Sequence, residues 1–228
     1  MLFFVTLINS LFTMKKLDKT LSKRLKRLFL QARDEFSNDY LIVGIPNFFA
    51  KKFIAYCAMK EDLELCLEYI KVLRTETKRV LKSSLTVSLI SLYGKCFTDA
   101  SKNSYPKLEP NLLFKEKSEF EEIHNFLMDL RHQFIAHRGE TNSEIAISFL
   151  LIPKEDDVAK TQVRFSQLKQ IGFSNDDLDK FESLIQYVIE DLHKKIEKSG
   201  NKIHDGFLDK FSQNLASALI INNIKDED

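Results

Sequence analysis

The chain of 228 residues balances 34 lysines and arginines against 33 aspartates and glutamates, a formal charge of +1. Bulk charge therefore does not mark a nucleic-acid binder, and any such site is a local patch. With 44% hydrophobic residues, nineteen phenylalanines, six glycines and four prolines, the chain has material for a packed core and is neither collagen-like nor low-complexity.

In chain order, Met1 to Thr13 are mostly apolar and come before a basic cluster. A secretory signal reverses that order, and a membrane span needs roughly twenty apolar residues, so no stable membrane association is expected. Two readings stay open for 1–13: a short hydrophobic segment docking on the body, or a start placed upstream of a true N-terminus at Met14-Lys15-Lys16. Residues 14–228 read as one domain, with no repeat and no dividing linker.

Leu17, Leu21, Leu25, Leu28, Ala32 and Phe36 recur every three or four residues and predict an amphipathic helix over about 15–37. Its other face holds Lys15, Lys16, Lys19, Lys23, Arg24, Lys26, Arg27 and Arg33, a run that is either a solvated face or a contact for a polyanion. Gly44 and Pro46 break the pattern. From about 48 to 100 it is helical again, with one stripe of Leu63, Leu67, Ile70, Leu73, Val80 and Leu81 interrupted by the charged stretch 74–79. Leu85, Val87, Leu89, Ile90, Leu92 and Tyr93 fall nearly all round the wheel, as expected of a buried central helix.

Residues 101–110 read as a loop, and a further helix over about 116–138 stops at Gly139. The period then changes to two. Ile145, Ile147, Phe149 and Leu151 alternate with their neighbours, as do Val163 and Phe165, which predicts a β-hairpin over about 144–168. Ser174 to Asp177 resembles a capping box and opens a strong helix through Ile196, with a shorter helix expected over 205–222.

The three cysteines, Cys57, Cys66 and Cys96, lack CxxC spacing, which speaks against a disulfide framework or a zinc site and fits a reducing cytoplasm. Dinucleotide fingerprints, P-loops and nucleophile elbows are absent from the sequence. The stretch 124–144 is left as the chemical candidate. Arg131, His132, His137 and Arg138 crowd into the end of one helix. Arginine offers phosphate oxygens a charged planar fork of donors, and histidine moves protons near neutral pH. Together they suffice to cut RNA without a metal.

On an ideal wheel His124, Arg131 and Arg138 are seven apart and drift only about 20° per step, forming a ridge that can grip phosphates. A bland reading is equally physical, because cations in a last turn favour the negative end of the helix dipole. His137 falls within the apolar stripe, which makes it either a buried structural histidine or a residue at a seam between two copies. His132 and His137, about 140° apart on a helix, are poorly placed to share a metal.

Arg131, a polar residue at 132, and His137 five residues after the arginine resemble the Arg-x(4–6)-His motif of the HEPN superfamily of α-helical domains. Many of its members are metal-independent ribonucleases of antiviral and toxin–antitoxin systems. Ser91 to Phe97, His124, Leu127 to Arg131, Ile135 to His137 and Glu144 are similar to an abortive-infection-like branch, over about 85–165. His132 departs from the asparagine common at its position. Arg138 and Gly139 replace the tyrosine of a toxin branch, which argues against a nucleotidyltransferase partner.

The expected architecture is a mainly α, HEPN-like helical bundle with an appended β-hairpin. The resemblance implies a homodimer that cleaves RNA, with Arg131 and His137 of two protomers lining one cleft. His124, His132 and Arg138 would position the RNA backbone and Glu144 would orient a histidine. No metal or cofactor is required, and the trigger and any antitoxin stay unspecified. Two rivals stand beside this: a non-catalytic helical module holding RNA, nucleotide or protein in the same cleft, and a structural dimer in which Arg131 pairs with a carboxylate.

Overall fold

The structure is a computed structural model that describes residues 19–36, 38–40, 45, 47–99, 105–135, 144–153, 162–169 and 172–211. It is mainly helical, with a small antiparallel hairpin. In order come α1 (Lys19–Phe36), α2 (Asn47–Thr75), α3 (Arg79–Lys95), the short α4 (Pro110–Leu113), α5 (Ser118–Asp129), a π-helical turn (Leu130–Ile135), β1 (Glu144–Leu151), β2 (Gln162–Lys169) and α6 (Asn175–Phe211). The chain forms two compact units, one of residues 55–196 and one of 1–54 with 197–228, with both boundaries inside helices rather than at linkers.

Unit 55–196 contains the core. Leu63, Cys66, Ile70 and Leu73 of α2, Leu89, Ile90 and Tyr93 of α3, and Leu127 of α5 line it at helical spacing. The α6 stripe Leu178, Phe181, Ile185, Val188 and Leu192 completes it. Burying each such leucine, isoleucine or valine contributes about 1.5–3 kcal/mol. Val80 and Leu81 do not continue the α2 stripe. The helix breaks between Thr75 and Arg79, the phase is reset, and Val80 is left 75% exposed.

α6 opens on a capping box. Ser174 Oγ accepts the Asp177 N–H at 3.1 Å, while the Asp177 carboxylate accepts the Ser174 N–H at 3.2 Å and its hydroxyl at 2.6 Å. The helix then runs unbroken to Phe211, where two helices were expected. Gly200 and Gly206 lie within it. A glycine costs a helix interior only about 1 kcal/mol, so neither has to end it. Across unit 55–196, Arg74 clamps α2 to α6 through Asp179 at 2.5 Å and Glu182 at 2.6 Å.

β1 and β2 pair antiparallel, with Ile147 opposite Ser166 and Phe149 opposite Arg164. Ile145, Ile147, Phe149, Leu150, Val163, Phe165 and Leu168 are all exposed.

Candidate functional site

Residues Leu130–Ile135 leave the α-helical path for a π-helical turn. Such a turn closes i→i+5 rings and advances less per residue than the roughly 100° of an α-helix. Wheel angles carried straight through from α5 therefore do not hold beyond 130. The ridge of His124, Arg131 and Arg138 assumed an unbroken helix, and the first two members already separate: His124 is buried, whereas Arg131 is half-buried.

Arg131 leaves the π turn against α3. A β-carbon built on Gly94 would lie 2.1 Å from its Cδ, 2.9 Å from Nε and 3.4 Å from Cγ. Only glycine lets the arginine stem pass this close to the helix backbone. Among the described residues no carboxylate pairs with Arg131, in contrast to the doubly clamped Arg74. Its five donors are thus held at a helix surface with no anion from the described residues to neutralise them.

His124 has a different place from the one expected. It is 3% exposed, its Nδ1 lies 2.8 Å from the Tyr93 hydroxyl, and its ring packs 4.4 Å from Phe97 and 5.1 Å from Phe114. Burial in that aromatic cage lowers the imidazole pKa to about 4. The ring is neutral at physiological pH and enclosed by Tyr93, Phe97 and Phe114, so it is not placed to touch a phosphate. Burial also pushes the Tyr93 hydroxyl well up, and it keeps its proton.

Tyr93 and Gly94 are consecutive on α3, and each receives one residue of the pair His124 and Arg131. Neither had a role by type. The available signal was a glycine in the last turn of a helix, directly after the buried Tyr93.

His132 is exposed beside Arg131. His137 and Arg138 lie outside the described residues, as does Gly139. Glu144 opens β1 opposite Lys169 in the hairpin register. The structure thus brings Arg131 together with Gly94 and His124 together with Tyr93.

Burial raises the thiols of Cys66 and Cys96 to about 12, which keeps both protonated and unreactive. Among the described residues no three His, Cys, Asp or Glu side chains converge on a metal-sized site. Among those residues, too, no helix is long and apolar enough to cross a membrane. No family model, curated protein or solved structure matches this chain.

Proposed function

We propose that the protein is a HEPN-type, metal-independent endoribonuclease that works as a homodimer in phage defence or a toxin system. The observation that carries this reading is the uncompensated Arg131 guanidinium, lodged over Gly94 with no carboxylate among the described residues. A half-buried cation of this kind is suited to a phosphodiester.

In the proposed reaction His137 of one protomer takes the proton of a ribose 2′-OH, and the 2′ oxygen attacks the adjacent phosphorus. The bond to the 5′ oxygen breaks as His137 of the other protomer protonates it. Arg131 stabilises the charge building on the phosphoryl oxygens. The products are a 2′,3′-cyclic phosphate and a free 5′-hydroxyl. His132 and Arg138 hold the flanking backbone and Glu144 orients a histidine. His124 has no contact role here, because its ring is spent on Tyr93.

The test is incubation of the purified protein with RNA in EDTA, comparing wild type with Arg131→Ala and His137→Ala. Chelator-resistant cleavage that both substitutions abolish is the expected result. RNA retained without cleavage would replace the enzyme with a binding module.

A further inference from the structure

α1 presents two unlike faces, and both are open. On a helical wheel Leu25, Leu28, Phe29, Ala32 and Phe36 fall within an arc of about 100°. Leu28 is 61% exposed, Phe36 45%, Phe29 42% and Leu25 39%. The exposed Lys23, Arg24, Lys26 and Arg27 dominate the remaining arc, which also holds Asp34, Glu35 and the half-buried Leu30. None of the four takes part in an ion pair among the described residues, and Arg33 meets only Asp34 there, at 3.9 Å.

We propose that α1 is an interfacial helix that lies flat on an anionic lipid surface, its leucine and phenylalanine face in the acyl boundary and its lysines and arginines among the headgroups. Two features choose this occupant. The positive face calls for negative charge, which a bilayer of anionic lipid and a nucleic acid both supply. The apolar face then separates them, because RNA would neutralise the cations and leave Leu28 and Phe29 in water, whereas a bilayer satisfies both faces together.

The geometry agrees with a surface orientation. Eighteen residues make a rod of about 27 Å, and α1 is too polar to cross a bilayer. Arg24, Lys26 and Arg33 border the apolar arc, where long side chains bury their stems and keep their charges at headgroup level. Binding of this kind is reversible and grows with the anionic lipid fraction. It is independent of the Arg131 chemistry.

The experiment is co-sedimentation of the full chain with vesicles of phosphatidylcholine alone and of phosphatidylcholine mixed with phosphatidylglycerol. The variants are Leu28→Glu with Phe29→Glu, and Arg24→Glu with Arg27→Glu. Arg24, Arg27 and Leu28 are largely exposed and Phe29 is 42% exposed, so a cooperative thermal unfolding transition near that of wild type confirms that the variants fold. Wild type is expected to partition into the anionic vesicles at least tenfold better than into neutral ones, and each double variant to lose about tenfold or more.

Absence of binding to anionic vesicles overturns the proposal. So does binding that depends on Arg24 and Arg27 but is untouched by Leu28→Glu with Phe29→Glu. An RNA gel shift lost only in the arginine variant, without lipid binding, would assign the face to nucleic acid. A dimer dissolved by the leucine–phenylalanine variant, again without lipid binding, would assign the apolar face to a second copy. Arg131→Ala serves as a control that leaves lipid binding unchanged, so failure here and failure of RNA cleavage are read separately.

Discussion

The side chain of Arg131 crosses the backbone of Gly94 so closely that a single added β-carbon would sit 2.1 Å from its Cδ. The crossing joins α3 to the π turn at the position where the arginine of the candidate motif begins. It makes a glycine on one helix the determinant of where a guanidinium on another points.

Gly94→Ala therefore separates position from stability. Alanine improves helix propensity by about 1 kcal/mol, while the clash is relieved if the flexible arginine swings aside. The two terms oppose, so the midpoint of thermal unfolding should move little, whereas RNA cleavage should fall as far as in Arg131→Ala. In an Arg131→Ala background the clash is gone, and Gly94→Ala should stabilise by about 0.5–1 kcal/mol. Urea unfolding of the four proteins in this cycle checks it, and a stabilisation equally large with Arg131 present would refute the contact.

His124 should impose a pH dependence on stability. Its pKa falls from 6.5 in the unfolded chain to about 4 in the folded one. The unfolded state therefore binds the proton first as pH drops. The stabilisation is complete above pH 6.5 and is lost progressively down to about pH 4, at up to about 1.4 kcal/mol per pH unit. His124→Gln should flatten the curve of unfolding free energy against pH over that window. An unchanged slope would show that other groups govern acid unfolding.

Tyr93→Phe tests the same contact from the other side. It removes the hydroxyl 2.8 Å from His124 Nδ1 and leaves a buried ring nitrogen without that partner. The expected cost is about 1–3 kcal/mol, measured by chemical denaturation. The double variant with His124→Phe should cost less than the sum of the two single changes, because the pair is then replaced by packed apolar rings.

Much of the fold was legible because burial imposes a period. Leu63, Ile70 and Leu73 repeat at helical spacing, Ile145 to Leu151 alternate, and Ser174 with Asp177 announces the start of α6. The site was less legible. No residue type signals that Leu130–Ile135 will close i→i+5 rings, so a wheel continued from α5 through Arg131 misplaces the residues beyond it. His124 looked like a ridge residue because it stands seven residues before Arg131 on a continuous wheel. Its burial depends on Phe97 and Phe114, whose approach to the ring is invisible to a local pattern. Of the separate helix expected over 205–222, residues 205–211 belong to α6, since the glycines at 200 and 206 weaken a helix without stopping it, and 212–222 lie outside the described residues.

The hairpin and the core should respond to substitution in opposite ways. Leu89 is fully buried between helices, and Leu89→Ala removes its contacts and leaves a cavity, at a cost of about 2–5 kcal/mol. Phe165 on β2 is 73% exposed, so Phe165→Ser has little burial to lose and should change stability by no more than about 0.5 kcal/mol. Urea denaturation of the two variants at several protein concentrations makes the comparison. A large, concentration-dependent loss in Phe165→Ser would mean that the hairpin face is covered by another chain in solution, and would place part of the protein's stability in an assembly rather than in the single fold.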